Sequence, residues 1–332
     1  MPIGERQMLG DVRESKNTLR STTINRSNVT RSDEPELGGV FPACMTMFNE
    51  TGAIDEAGTV RHADYLIRCG AHGLVACGTS GEFIAMSNDE RLAVIKLIIE
   101  VADGKVPVYA GTGHYATRQT IELTQSAEAM GAAGAIVIPP YYQKPPKAAI
   151  LDHYRTLRRE TALPIMIYNN PAYAGCVEIG PWDVKVLVEE GVVQSIKSTV
   201  ANVAVVHDLL YLCGDKLRVF YGSFQAPTEA MLMGAHGWIS GFLNLMTREC
   251  VALFEACESG NLTQAKALWK RLLPLKHLIA YEQLGPVNDL AIYRAGLEMI
   301  GEHGGCSRPP LQPLQSHQRE SLAKLLKAEG FL

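Results

Sequence analysis

The sequence predicts an α/β fold, a (β/α)8 TIM barrel with a C-terminal helical extension. Eight short, apolar, β-rich runs alternate with longer amphipathic runs from residue 38 onward. Each short run is apolar on both faces, as expected of parallel strands that are covered by helices. Residues 245–332 have an almost entirely helical pattern, which is more than one closing barrel helix requires.

The predicted elements follow one another in a regular order. The strand candidates are residues 40–48, 72–78, 106–113, 133–139, 164–169, 192–198, 217–222 and 236–241. The clearest helical patterns between them are residues 55–69, 89–102 and 117–130. Ser87 or Asn88 would cap the second of these helices, and Gly70, Gly131 and Gly191 fall where helices should end.

An open, doubly wound sheet is the alternative architecture. It would be expected to carry a glycine-rich nucleotide-binding turn. The best match is residues 111–113, but Ala116 stands where the third glycine is needed, and no acidic residue follows at the right distance. Eight repeated units therefore favour the closed barrel.

The chain divides into three predicted parts. Residues 1–37 are polar and nearly free of large apolar residues, which predicts a disordered or surface-bound extension. Their five arginines would suit an organelle transit peptide, but six acidic residues argue against one. Residues 38–244 form the barrel core, and residues 245–332 provide the last barrel helix and a helical bundle.

Charge and composition exclude several classes of protein. The formal net charge is −4, so a nucleic-acid partner is not expected. No apolar run is long enough to span a membrane, and the N-terminus has no apolar secretory core. The eight cysteines include no CxxC pair, which is typical of reduced thiols in a cytoplasmic protein. The histidines form no ligand pattern and no acidic cluster follows a strand, so we expect neither a metal nor a cofactor.

Lys197 is the strongest candidate for a catalytic residue, because it ends an otherwise apolar strand. Active sites of such barrels lie at the carboxyl ends of the strands. A charged lysine is costly to bury there, and a neutral amine is the nucleophile that forms Schiff bases with carbonyl substrates. The alternative is a strand-end lysine whose side chain extends to solvent.

Other strand ends carry polar or glycine-rich segments. Gly78, Thr79 and Ser80 begin a turn whose backbone N–H groups suit an anion, although glycine-rich turns are common in this position. Phenols follow two further strands, at Tyr142 and Tyr168, where they would serve as acid or base or simply pack at the edge of the core. The remaining candidates, which permit close backbone approach at the same rim, are Gly222 and Gly241. Glu82 is a lone acid that we expect to be structural, bonded to nearby backbone N–H groups.

Taken in order, four motifs resemble the dihydrodipicolinate synthase / N-acetylneuraminate lyase family of class I pyruvate aldolases. They are Gly-Thr-Ser-Gly-Glu at 78–82, Pro-Tyr-Tyr at 140–142, Tyr-Asn-x-Pro at 168–171 and Ile-Lys at 196–197. The similarity extends from about residue 38 to the C-terminus. It includes Ala-Gly-Thr-Gly at 110–113 and Arg-Pro-Pro at 308–310.

The resemblance implies a role for each matching residue. Lys197 would form the Schiff base, Tyr168 would be the acid/base, and Thr79 would link Tyr168 to Tyr142 in a proton relay. In lysine-biosynthetic members the residue matching Tyr142 enters the neighbouring subunit's site, which implies a homodimer or a homotetramer built as a dimer of dimers. The residues that would bind or line the substrate are Gly78, Ser80, Tyr173, Gly222 and Gly241.

Departures from the family pattern bear on the substrate. Lysine-biosynthetic synthases carry an arginine for the aldehyde substrate's carboxylate at the position of Tyr173, and a phenol cannot make that bidentate charge-assisted bond. Ser198 replaces a frequent acid, and Met47 replaces a frequent proline. Arg118 and Lys144 are candidate cations at the rim.

The predicted function is a Schiff-base lyase, an aldolase or dehydratase that acts on pyruvate or another small-molecule 2-oxo acid. A 2-keto-3-deoxy sugar acid or a hydroxyproline-pathway intermediate would suit the site. The alternative is 4-hydroxy-tetrahydrodipicolinate synthase, which condenses pyruvate with aspartate semialdehyde. A more remote alternative is a non-catalytic protein that binds 2-oxo acids.

Overall fold

The computed structural model describes residues 37–332, so the expected extension, except for Leu37, lies outside the described residues. The described part of the chain forms one eight-stranded parallel sheet. Its strands are β1 Gly39–Pro42, β2 Leu74–Ala76, β3 Val108–Gly111, β4 Gly134–Val137, β5 Ile165–Asn169, β6 Ser195–Ser198, β7 Arg218–Tyr221 and β8 Gly237–Ser240. β8 pairs with β1, and the amide of Cys44 donates to the carbonyl of Val75 at 2.9 Å between the ends of β1 and β2. The predicted TIM barrel is confirmed.

Helices follow the strands and continue beyond the last one. Within residues 37–332 they are α1 Glu56–Arg68, α2 Asn88–Ala102, α3 Thr117–Ala129, α4 Lys147–Glu160, α5 Pro171–Ala174, α6 Pro181–Glu189, α7 Val205–Cys213, α8 Pro227–Leu232, α9 Thr247–Glu258, α10 Leu262–Ala280, α11 Asp289–Met299 and α12 Ser316–Ala328. Ser87 is the N-cap of α2 and forms a capping box with Glu90. Gly70, Gly131 and Gly191 each lie two residues beyond a helix end, as predicted.

Two apolar layers account for strands that are apolar on both faces. Alternate side chains along a strand point to opposite faces, so Phe41 lies inside the barrel while Val40 packs among the side chains between strands and helices. The inner layer consists of Phe41, Ala43, Val75, Tyr109, Ile136, Ile138, Met166, Tyr168, Phe220 and Ile239. This filled interior leaves room for chemistry only towards the strand ends.

The first strand is shorter than the sequence predicts. The expectation of a strand over residues 40–48 is wrong, because β1 ends at Pro42. The residues that follow are nevertheless buried, with Met45 and Met47 at 0% exposure. Phe48 forms an isolated antiparallel bridge with Cys306, whose amide donates to the Phe48 carbonyl at 2.8 Å. The apolar pattern here reflects burial beneath the C-terminal segment and not membership of the sheet.

The C-terminal extension is helical, as predicted. α10 packs on α9, and α12 packs on α10 and α11. The segment after α11 returns to the barrel beside β1, at the bridge between Phe48 and Cys306. Across residues 37–332 no helix combines the length and apolarity that crossing a membrane would require.

Candidate active site

Lys197 lies inside the barrel. It is only 5% exposed, so its side chain does not extend to solvent as the alternative interpretation required. Tyr168 is its register partner on β5, and the Lys197 Nζ lies 4.0 Å from the centroid of the Tyr168 ring. Within residues 37–332, no carboxylate forms an ion pair with this amine. The amine therefore faces the π-surface of Tyr168.

The Tyr168 phenol is held by two polar side chains. Its Oη accepts a hydrogen bond from Asn170 Nδ2 at 2.8 Å, and it lies 3.4 Å from Thr79 Oγ1. The pair with Thr79 was predicted from the sequence, whereas the contact from Asn170 was not. The available signal was a polar residue next to Pro171, at a strand end whose neighbours are buried.

The loop that carries Thr79 is fixed by a tight backbone contact. Cys77 has φ 53°, in the left-handed region, and a 3-10 turn follows over Thr79–Gly81. A Cβ on Gly111 would lie 2.1 Å from the Cys77 carbonyl oxygen, so only glycine fits beside this loop. Burial raises the pKa of the Cys77 thiol to about 12, which keeps that thiol neutral and makes it a poor nucleophile.

A small cavity of about 20 Å³ joins these groups at the ends of β2 to β6. Among the predicted site residues it is bordered by Gly78, Thr79, Tyr168 and Lys197. The rest of its lining is Val75, Cys77, Phe83, Arg91, Gly111, Gly113, Ile136 and Ile138. A largely apolar wall that carries a few polar groups is typical of a site for a small polar substrate.

Arg91 is a cavity residue that sequence analysis missed. It is 2% exposed and its Nη2 donates to the carbonyls of Gly111 and Gly113 at 2.6 and 3.1 Å. The guanidinium also lies 5.0 Å from the Phe83 ring centroid. An arginine on the inner face of α2, where an apolar residue would normally pack, was the signal in the sequence.

Ser80, Gly222 and Gly241 lie at the rim but do not border this cavity. A Cβ on Gly241 would approach Ser80 Oγ to 2.5 Å, so glycine lets the end of β8 contact the β2 loop. A Cβ on Gly222 would lie 2.3 Å from Thr199 Cγ2. Both glycines allow the close backbone approach that the sequence predicted.

A buried lysine, a tyrosine on the next strand and a threonine on the β2 loop thus meet at the carboxyl end of the barrel. A sequence profile of the Dihydrodipicolinate synthetase family matches residues 36–329, nearly the whole described chain. The chain belongs to this family. It is accordingly an enzyme of the class I type, a lyase that works through a lysine Schiff base.

The similarity to known relatives extends over nearly their whole length. The 4-hydroxy-tetrahydrodipicolinate synthase of Thermodesulfovibrio yellowstonii is 32% identical over 294 residues, covering 89% of this chain and 99% of its own. The Methanothrix thermoacetophila synthase is 34% identical over 289 residues, or 87% and 95% of the two chains. The structure of YagE, a prophage protein from E. coli K12 in complex with pyruvate, superposes with a TM-score of 0.82 at 28% identity, covering 90% of this chain and 100% of its own. The pyruvate complex of the Acinetobacter baumannii dihydrodipicolinate synthase has a TM-score of 0.82 and 30% identity, covering 89% of this chain and 99% of its own.

Tyr142, the third predicted member of the family's relay, does not join the other two within one chain. Its side chain is 87% exposed, and no hydrogen bond in residues 37–332 connects it to Thr79 or Tyr168. Its backbone has φ 72°, a conformation that is uncommon for a tyrosine. The adjacent Tyr141 packs edge-on against Phe83, 6.4 Å between centroids, so the loop holds one phenol inward and the other outward.

The three residues that depart from the family's sequence pattern lie in different parts of the structure. Tyr173 lies in the short helix α5, and its side chain is outside the described part of the structure. Ser198 Oγ is buried and has no partner among the described residues. Met47 is fully buried, and its Sδ lies 3.1 Å from Arg294 Nη1. Met47 therefore belongs to the packing of the C-terminal segment.

Neither candidate rim cation borders the cavity. The Arg118 side chain is 88% exposed and pairs with Glu122 at 2.8 Å. Lys144 is exposed on the loop after β4, with φ 48°.

Glu82 ties the β2 loop of this family member to its C-terminal segment. It is 4% exposed, and its Oε1 accepts from Arg294 Nη2 at 2.8 Å. Its Oε2 accepts from the backbone N–H of Arg308 at 2.9 Å, the kind of structural contact that the sequence predicted. Arg294 also donates to the carbonyls of Thr46 and Gly304 at 2.8 and 2.7 Å. The loop bearing Thr79 is thus anchored three residues beyond it.

No group of three or more histidine, cysteine, aspartate and glutamate side chains in residues 37–332 is arranged to hold a metal ion. All eight cysteines lie in this range and are unpaired. The polar groups at the cavity are therefore an amine, a phenol, a hydroxyl and a guanidinium.

Proposed function

We propose that the protein is a lyase that forms a Schiff base between Lys197 and pyruvate or another 2-oxo acid. The observation that carries the proposal is the buried Lys197 amine, 4.0 Å from the ring of Tyr168, at a cavity bordered by both. A lysine shielded from water and beside an acid/base group meets the needs of imine chemistry. The solved relatives that hold pyruvate support this substrate class.

The residues divide the proposed reaction between them. The Lys197 amine attacks the keto carbon, and the keto oxygen leaves as water after it is protonated. The resulting iminium withdraws electrons from an adjacent C–C or C–H bond, so that bond breaks to leave an enamine. Tyr168 Oη delivers or accepts the proton at each step and exchanges it with Thr79, whose Oγ1 is 3.4 Å away.

The β2 loop would bind the substrate's carboxylate. Thr79 and Ser80 begin a 3-10 turn, whose first N–H groups have no acceptor within the turn. Backbone N–H groups at such a turn suit an anion. This arrangement would place the 2-oxo group next to Lys197, which borders the same cavity as Thr79.

A second candidate is the condensation of pyruvate with aspartate semialdehyde. The names of the relatives at 32–34% identity favour it. Tyr173 argues against it, since the family resemblance implies an arginine for the second substrate's carboxylate at this position in lysine-biosynthetic members, and here a phenol stands there. The two candidates share the Lys197 imine and differ only in what reacts with it.

Borohydride reduction tests the proposed function. With pyruvate present, we expect a reduced adduct on the peptide that contains Lys197, because borohydride converts the imine to a stable secondary amine. A panel of 2-oxo acids, and a coupled assay with aspartate semialdehyde, then identify the turnover reaction. Absence of an adduct with every 2-oxo acid in folded protein would refute the proposal. Condensation at rates comparable with a true synthase would establish the second candidate.

We also propose that the working unit is at least a dimer in which Tyr142 serves the partner's site. Tyr142 is 87% exposed and held in a left-handed backbone conformation in a single chain. Ile84, near the same mouth of the barrel, is 74% exposed. A second copy covering this face would bury both side chains and complete the relay.

The eight free thiols fit a reducing compartment such as the cytoplasm.

Subunit mixing tests this use of Tyr142. The Tyr142→Phe variant is expected to lose activity by about a hundredfold, and Lys197→Ala to be inactive. If Tyr142 acts across the interface, a refolded mixture contains sites with an intact Lys197 and an intact partner Tyr142. Activity per intact Lys197 should then rise to about half the wild-type value, as random pairing of two subunit types predicts. A mixture that shows no gain over Tyr142→Phe alone would contradict the proposal.

A further inference from the structure

Asn170 occupies the open position of the Tyr-Asn-x-Pro motif, between Asn169 and Pro171. It directly follows β5 and is 3% exposed. Its Nδ2 donates to Tyr168 Oη at 2.8 Å, which is shorter than the 3.4 Å between Tyr168 Oη and Thr79 Oγ1. The shorter of the two contacts to the Tyr168 phenol therefore comes from Asn170, which stands at the unspecified position of the Tyr-Asn-x-Pro motif.

The neighbouring asparagine has a different task. Both polar atoms of the Asn169 side chain are satisfied by the backbone of Ile179, with Nδ2 donating to its carbonyl at 3.0 Å and Oδ1 accepting from its amide at 3.2 Å. Asn169 is thus a structural link between β5 and the segment before α6. Asn170 has no such backbone partner in the described residues, and the hydrogen bond of its side chain goes to Tyr168.

The orientation of the Asn170 side-chain amide can be decided by asking which of its two polar groups is left without a hydrogen-bond partner. Its Oδ1 is buried and has no partner among residues 37–332. Turning the amide over would instead leave the NH2 group without an acceptor, and buried unpaired N–H groups are rarer in proteins than under-satisfied carbonyl oxygens. The reversed amide would also consume the phenolic proton. The favoured orientation makes Asn170 the donor and Tyr168 Oη the acceptor.

This hydrogen bond determines where the phenolic proton can point. Because Oη already accepts from Asn170, its own O–H is free to point towards Thr79 or into the cavity, where Lys197 lies. A donor at 2.8 Å also stabilises the deprotonated phenolate more than the neutral phenol, since hydrogen bonds to charged groups are stronger. The ring face against Lys197 and the amide on Oη fix the phenol at two points.

We propose that Asn170 is a positioning residue for the acid/base chemistry of Tyr168, directing its proton towards the reacting atoms and stabilising the phenolate. This inference rests on the proposed Schiff-base function. It adds a determinant of proton transfer that the four family motifs do not specify.

Two replacements separate this role from simple packing. Asn170→Val removes the donor and keeps a buried side chain of similar breadth. Asn170→Asp is isosteric, but its ionised carboxylate can only accept hydrogen bonds. We expect Asn170→Val to lower kcat by about tenfold, the effect of one lost hydrogen bond to a reacting group, with KM little changed. The pH–rate profile should also shift upward, because the phenolate loses the donor that stabilises it.

The Asn170→Asp variant adds a negative charge next to the phenol. At neutral pH its carboxylate would accept a hydrogen bond from the phenol O–H and would repel the phenolate, so we expect kcat to fall by on the order of a hundredfold. Activity should partly recover as the pH is lowered, because a protonated carboxyl regains a donor. Asn170→Val should show no such recovery. Should the valine variant fail to fold, the isosteric aspartate variant still tests the inference.

A double-variant cycle with Tyr168→Phe completes the experiment, with the panel's turnover substrate and borohydride trapping with pyruvate as readouts. If Asn170 acts through the phenol, Asn170→Val should change kcat by less than about twofold once the phenol is absent. Independent, multiplicative losses, or an unchanged pH–rate profile, would show a merely structural role and overturn the inference. If wild-type protein forms no trapped adduct, the proposed function fails and the inference fails with it. If wild-type protein is trapped and Asn170→Val behaves as wild type, only the inference fails.

Discussion

Replacing Lys197 with alanine is expected to abolish turnover, with a loss of at least about a thousandfold. Without the amine no imine forms, and the electron sink for bond cleavage is absent. Tyr168 and Thr79 would remain in place but would have no iminium to act upon. The measurement is steady-state turnover of the substrate identified in the panel, together with borohydride trapping, which should disappear in the same variant.

A matched control is Lys185→Ala. Lys185 lies on α6, its side chain is 32% exposed, and its amine pairs with Glu189 at 3.0 Å. Replacing it with alanine therefore removes an equal charge outside the cavity. Its turnover should stay within about twofold of wild type, as expected of a surface substitution. Normal turnover by Lys197→Ala on an established substrate would refute the Schiff-base mechanism, whatever the control shows.

Replacing Arg294 with methionine is expected to destabilise the protein by about 3–5 kcal/mol. The side chains of Arg294 and Glu82 are 6% and 3% exposed, and their charged atoms are 2.8 Å apart. Removing one partner leaves the other charge buried, which costs far more than the net value of the pair. The Thr46 and Gly304 carbonyls would lose donors as well. Denaturant unfolding, with the change in midpoint converted through the slope, measures the effect.

The exposed pair between Arg319 and Glu298 provides the control. It has the same 2.8 Å separation, but its side chains are 40% and 43% exposed, so Arg319→Met should cost only about 0–1 kcal/mol. Adding Glu82→Gln to Arg294→Met should recover part of the loss, because the buried unpaired charge is then removed. Equal losses for Arg294→Met and Arg319→Met would show that the buried pair has no special importance.

The barrel and part of its site were predictable because they depend on local patterns. Apolar runs and glycine stops placed the strands and helices, and parallel strands bring their carboxyl ends to one rim. Lys197 and Tyr168 were found because each is a polar residue at the end of an apolar strand. The structure pairs them directly in register. Thr79 followed from the glycine-rich turn after β2.

Contacts that depend on side-chain direction were not predictable in the same way. The bond from Asn170 to Tyr168 requires a turn of backbone after β5 that the sequence pattern does not encode. Arg91 looked like an ordinary polar residue of an amphipathic helix, yet it donates to carbonyls at the end of β3 and beyond. Met45 and Met47 gave the sequence pattern of a longer strand, because burial beneath the C-terminal segment favours the same apolar residue types as a sheet.

The anchoring of Glu82 by Arg294 has a consequence for synthesis on the ribosome. The two residues are 212 positions apart, so the β2 loop emerges about 10–40 s before its partner is translated. Until then Glu82 has no cation to balance it, and the turn that presents Thr79 lacks its support. A chain that ends between residues 197 and 294 would contain Lys197, Tyr168 and Thr79 but would lack Arg294, which supports the β2 loop. We therefore expect the arrangement of Lys197, Tyr168 and Thr79 to become fixed only after α11, which carries Arg294, has been translated.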